Sequence, residues 1–156
     1  LFEKSLNSTT PLPKNLIDRL HNKFYRPEPR IKEGILLQNI ASSAIDISDG
    51  LIADLSHILN SKLYGANIEF KCIPYANFLT DIADHKLIQK WVLSGGDDYE
   101  LCFTVPKKHV ALLERMIASK KIQACCIGQV SINSGIRCYD DQGELLNITK
   151  SGYQHF

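Results

Sequence analysis

Ala44-Ile45-Asp46-Ile47-Ser48-Asp49-Gly50-Leu51 is the stretch on which the reading of the fold turns. Ile45 and Ile47 alternate with Asp46 and Ser48, the period of a strand with its apolar pair on one face. Asp46 and Ser48 share the other face, about 7 Å apart along the strand. Ser48 is a good helix N-cap, and Asp49 falls in a first turn, where the helix dipole favours a carboxylate. From Leu51 the apolar period lengthens: Leu51, Leu55, Ile58 and Leu59 form one helical stripe, flanked by Ile52. Two carboxylates and a hydroxyl therefore meet where a strand runs into a helix. That set suits Mg²⁺ and phosphate, because Mg²⁺ takes oxygen ligands and shares them with substrate phosphates. The same residues also read as an ordinary cap and Asp-Gly turn.

Composition bounds the rest. The chain has 156 residues, enough for one domain with a real core. Its net charge of +1 gives no reason to expect nucleic acid or an anionic membrane as partner. No apolar run reaches the length of a membrane span, and no basic-then-apolar pattern within the sequence argues for secretion. The five cysteines (Cys72, Cys102, Cys125, Cys126 and Cys138) form no CxxC and no zinc-like spacing with histidine. They are expected to be reduced thiols, mostly buried, in a cytoplasmic protein. Asp54, His57 and His85 stand singly and are read as surface residues rather than ligands.

Going outward from the central stretch, residues 13–24 are expected to form a short helix through Leu16, Leu20 and Phe24. Arg26-Pro27-Glu28-Pro29-Arg30 is a stiff, polyproline-like connector whose arginines either meet solvent or hold phosphate. A helix over 31–41 leads into the central strand. Beyond the central helix, Tyr64-Gly65 marks a stop, followed by a strand over 66–70 and a turn with a short helix over 73–83. A helix over 85–93 precedes Ser94-Gly95-Gly96-Asp97-Asp98, where paired glycines let backbone approach a ligand closely. Then come a strand over 99–105, an amphipathic helix over 107–118, and strands over 123–130, 135–139 and 144–148. The last two are joined by Asp140-Asp141-Gln142-Gly143. Interleaved strands and helices followed by clustered strands favour a mixed-sheet α/β (α+β) domain over a doubly wound parallel sheet. No Walker A loop, GxGxxG or GxSxG occurs.

Asp46-Ile47-Ser48-Asp49-Gly50-Leu51 followed by Gly95-Gly96-Asp97-Asp98-Tyr99-Glu100-Leu101 resembles the C-terminal half of bacterial thiamine-monophosphate kinase. Arg26-Pro27-Glu28-Pro29-Arg30 before them and Gly152-Tyr153-Gln154-His155-Phe156 after them are similar to the same family. The resemblance implies the C-terminal domain of the aminoimidazole-ribonucleotide synthetase-like fold. Residues 1–30 would then be an interdomain connector and 31–156 the α/β domain. It further implies Mg²⁺ bound by Asp46 and Asp49, ATP contacted by Ser48, and thiamine monophosphate contacted by Asp97 and Tyr153. The family commonly carries Glu where this chain has Asp97, one methylene shorter. A missing N-terminal domain would supply further acidic ligands and a homodimer interface, so the chain alone is expected to be inactive. Two other readings remain beside this one: another ATP-using synthetase of the same superfamily, and a non-catalytic ligand-binding domain.

Overall fold

The computed structural model of the chain describes residues 12–60 and 63–147. The elements in chain order are α1 (Lys14–Tyr25), α2 (Ile31–Leu37), β1 (Ser43–Asp46), α3 (Leu51–Ile58) and β2 (Gly65–Glu69). They continue with α4 (Leu79–Ile82), α5 (His85–Ser94), β3 (Leu101–Thr104), α6 (Lys107–Ala118), β4 (Gly128–Ser131) and β5 (Gly135–Tyr139). The order matches the sequence reading, and the architecture is mixed α/β as expected.

The strands form two sheets. β1 and β3 pair antiparallel, with Ile45 opposite Cys102 and Asp46 opposite Leu101. In the other sheet β2 is central, antiparallel to β4 and parallel to β5. α3 joins the two, touching β1, β3, α5 and β5. Its apolar stripe of Leu51, Leu55 and Leu59 is buried, as the period required. The same core takes in Ala66 and Ile68 of β2, Phe70 and Ile73 beyond it, Ile88 and Leu93 of α5, Cys102 of β3 and Cys138 of β5. Phe70 is 1% exposed and lies between the rings of Tyr75 and His85, with centroids 5.8 and 5.7 Å away.

Several local expectations change. The helix after the connector stops at Leu37, well before Ala41, because the chain must turn into β1. α3 ends at Ile58 with Asn60 left-handed, so Gly65 is the first residue of β2 rather than a helix stop. The strand expected from Tyr99 begins at Leu101, since Tyr99 is left-handed (φ 52°) and departs from extended strand geometry. The strand over 123–130 shrinks to β4, and the hairpin partner of β5 reduces to one bridge, Tyr139 with Leu145. Its turn is held by Asp140, whose Oδ1 accepts from the Gln142 and Glu144 N–H groups. All five cysteines are free, but only Cys102 and Cys138 are buried, which pushes both thiols up to about 11. Cys125 and Cys126 are exposed, against the expectation of burial. No helix among the described residues is long and apolar enough to cross a membrane. Emptying the aromatic centre of the core should be costly: Phe70→Ala is expected to lose about 3–5 kcal/mol of stability, read as a lower urea midpoint at unchanged slope.

Candidate functional site

The two acidic motifs are far apart in sequence and adjacent in space. Pairing of β1 with β3 continues past both strand ends. The Ile47 N–H donates to the Glu100 carbonyl at 2.8 Å, the Tyr99 N–H to the Ile47 carbonyl at 2.9 Å, and the Asp97 N–H to the Ser48 carbonyl at 2.9 Å. Two glycines permit this contact. A Cβ on Gly96 would stand 2.3 Å from the Ser48 carbonyl oxygen. A Cβ on Gly50 would stand 2.9 Å from the Ser94 carbonyl carbon, and Gly50 itself is left-handed at φ 119°. These glycines thus bring one motif against the other, whereas the sequence reading assigned the Gly95-Gly96 pair to a ligand.

Asp46, Ser48, Asp49 and Asp97 are therefore assembled in one corner. Asp46 and Asp97 are exposed; Ser48 and Asp49 are half-buried. Asp97 is left-handed (φ 64°), and its Oδ1 accepts from the Tyr99 hydroxyl at 3.0 Å. That hydrogen bond raises the Tyr99 phenol above its ordinary value, with the charges of Asp97 and Asp46 adding to it. The phenol therefore lies within electrostatic reach of both motifs. Tyr153, the other expected substrate contact, lies outside the described residues.

Two residues carry more of the site than the sequence suggested. Asp54, expected at the surface, is 2% exposed. Its Oδ2 accepts from the N–H groups of Ser48 (3.0 Å), Asp49 (3.0 Å) and Gly50 (3.1 Å). Ser48 is consequently not the N-cap. Gly50 occupies that position without a side-chain cap, and Asp54 reaches back to hold the turn. The clue was in the period, because Asp54 shares the buried stripe of Leu51, Leu55 and Ile58 at helical spacing. Ligand-capable atoms of Asp49, Asp54 and His57 lie within 4.8 Å of one another.

The second is Glu100. Arg30 of the connector binds it in bidentate fashion, Nε to Oε2 at 2.8 Å and Nη2 to Oε1 at 2.7 Å, and Lys23 Nζ reaches Oε1 at 3.0 Å. So Arg30 is paired rather than free for phosphate, and it ties α1 and α2 to the start of β3, while Arg26 stays exposed. The Arg30 hydrogen bond holds the Glu100 carboxyl below its ordinary 4.5, desolvation opposes this, and Lys23 adds to it. Desolvation raises the neighbouring Asp98 carboxyl; Lys23 opposes, while Glu100 and Asp97 reinforce the rise.

No protein-family model matches the chain. It is similar to the thiamine-monophosphate kinase of Buchnera aphidicola subsp. Schizaphis graminum, at 45% identity over 138 residues, covering 88% of this chain and 42% of that protein. The thiamine-monophosphate kinase of Escherichia coli (strain K12) is 39% identical over 139 residues, covering 89% of this chain and 43% of that protein. Among solved structures, thiamine-monophosphate kinase from Stenotrophomonas maltophilia K279a aligns with a TM-score of 0.72 at 31% identity, over 88% of this chain and 42% of that one. AaThiL complexed with AMPPCP and TMP aligns with a TM-score of 0.71 at 25% identity, over 96% of this chain and 44% of that one. The resemblance read from the motifs thus extends along most of the chain, and the fold is shared. The chain spans less than half the length of these relatives.

The Arg30–Glu100 pair is open to direct measurement. A carboxyl depressed by folding stabilises above its unfolded pKa and loses that contribution as pH falls through its folded value. Glu100→Gln is expected to cost up to about 1 kcal/mol at neutral pH, since the pair is partly exposed. Urea midpoints of variant and parent should converge as pH drops below the ordinary 4.5 of a glutamate.

Proposed function

We propose that this chain is the C-terminal domain of a thiamine-monophosphate kinase, a cytoplasmic enzyme that moves the γ-phosphoryl group of ATP onto thiamine monophosphate to give thiamine diphosphate. The observation that carries this reading is the backbone junction between Asp46–Gly50 and Gly96–Glu100, which gathers four candidate site residues at one corner. The similarity to thiamine-monophosphate kinases supports it, as does the AaThiL complex with AMPPCP and TMP, read as an ATP analogue and thiamine monophosphate. Residues 1–30 would be the connector and 31–156 the domain. The remaining length of the relatives would correspond to an N-terminal domain that completes the site and the homodimer.

The donors present suit Mg²⁺. Asp46 and Asp49 offer carboxylate oxygens, hard ligands of the kind Mg²⁺ prefers. No Lys or Arg is paired with either among the described residues. Bound there, Mg²⁺ would neutralise phosphate charge. The protein's own part is orientation. Ser48 would donate its hydroxyl to a phosphate oxygen of ATP. Asp97 and the Tyr153 ring would face the cationic thiazolium, for which a carboxylate or an aromatic face is favourable. The acceptor is a phosphate oxygen that is already anionic, so the site needs no strong base, and positioning with charge neutralisation is sufficient chemistry for phosphoryl transfer.

Steady-state kinetics on the complete polypeptide separate these roles. Asp46→Asn and Asp49→Asn should lower kcat about 100-fold or more, equivalent to roughly 3 kcal/mol of transition-state stabilisation. Asp97→Ala and Tyr153→Ala should raise KM for thiamine monophosphate several-fold to tens-fold, the value of roughly 0.5–2 kcal/mol, and change KM for ATP little. Near-normal kcat in both asparagine variants would show that Asp46 and Asp49 only cap and turn. The chain assayed without the rest of the enzyme should turn over neither substrate.

A further inference from the structure

We propose that Asp54 is a positioning residue for the metal-binding turn, acting through the backbone of Ser48, Asp49 and Gly50 and not as a ligand. The proposal rests on the kinase reading above for the identity of that turn. Three consecutive N–H groups that converge on one point form a concavity suited to an anion. At the start of a helix such a concavity is where a phosphate would ordinarily sit. Here it is filled from within, because Asp54 Oδ2 takes all three donors at 3.0–3.1 Å and Asp54 is itself buried.

Two consequences follow from that filling. The N-terminus of α3 is closed to substrate phosphate, so phosphate at this corner must be held by side chains and a cation. And the backbone angles of 48–50 are fixed at three points, which sets where the Asp49 carboxylate stands. Asp54 lies within 4.8 Å of Asp49 and His57, close enough to look like a ligand itself. Its charge is instead compensated by three charge-assisted hydrogen bonds, which leaves Asp49 as the carboxylate of the pair without such compensation. Groups that orient metal ligands in this way typically alter metal affinity by about 10- to 100-fold when removed.

The test is Asp54→Asn in the complete polypeptide, with folding checked by circular dichroism. The amides of Ser48, Asp49 and Gly50 are expected to exchange with solvent faster, while those of β1 and the rest of α3 keep their protection. Mn²⁺ binding, followed by electron paramagnetic resonance, should weaken about 10- to 100-fold. KM for thiamine monophosphate should move less than about twofold, because the residue touches no substrate. If Asp54→Asn does not fold, Asp54→Ala measured with and without formate replaces it. Formate entering the vacated concavity should restore Mn²⁺ affinity, and formate without effect would overturn the proposal. Unchanged amide exchange, or unchanged Mn²⁺ affinity in a folded variant, would overturn it too. Failure of the kinase reading looks different: amide exchange and Mn²⁺ affinity would still respond, but no phosphoryl transfer to thiamine monophosphate would be found in the parent protein.

Discussion

Backbone-to-backbone contact between Ser48–Gly50 and Ser94–Gly96 is the constraint that the site depends on. With any side chain on Gly96, the Ser48 carbonyl would be struck at 2.3 Å, and the two loops would have to separate. Separation would break the Asp97-to-Ser48 and Tyr99-to-Ile47 hydrogen bonds that prolong the β1–β3 pairing. A two-stranded sheet has little stability of its own, so those bonds and the packing of α3 beneath it matter disproportionately. Asp46, Asp49 and Asp97 share one corner only because of this contact.

Crowding so many carboxylates into one corner is costly unless each is compensated. Glu100 is neutralised by Arg30 and Lys23. Asp54 is buried, and three backbone dipoles take up its charge. Desolvation raises the Asp98 carboxyl above its ordinary range, and Lys23 opposes that rise. Asp46 and Asp49 have no such partner among the described residues, and Asp97 has only the Tyr99 hydroxyl. The charge left over is thus concentrated on the residues assigned to cation and substrate.

The order of elements was legible because apolar periods of two and 3.6 are strong in β1, α3, α5 and α6. Strand ends were less so: the residues flanking β3 and β4 have strand composition, but left-handed backbone at Tyr99 and the short register with β2 decide their limits. Asp46 and Asp49 could be named as candidates from residue type and place alone. Arg30 could be seen as a candidate, but its partner lies 70 residues away and no local pattern names Glu100. Asp54 was missed for a different reason. Residue type alone places a charged side chain in solvent, whereas the spacing from Leu51 and Leu55 places Asp54 on the buried face. Period outweighs polarity when a short acidic side chain can reach backbone donors at a helix start.

Left-handed backbone also bears on Asp97, the position where the resemblance implies Glu. Asp97 is left-handed, a conformation that short side chains such as Asp tolerate better than most others. Glu at this point reaches one methylene farther but lacks that local tolerance. Asp therefore relieves the turn while drawing the carboxylate back toward the protein, where the Tyr99 hydroxyl meets it at 3.0 Å. Tyr99 has no comparable relief: it is bulky, left-handed and held by the Ile47 carbonyl. A residue kept in so unfavourable a conformation by its surroundings is strain of order 1–3 kcal/mol, of the kind that clusters at ligand sites. What that strain achieves here is visible in the contact it makes, since it places a phenol donor beside Asp97 within electrostatic reach of Asp46. The short acid and the strained tyrosine are thus joined by one hydrogen bond, which orients the Asp97 carboxylate.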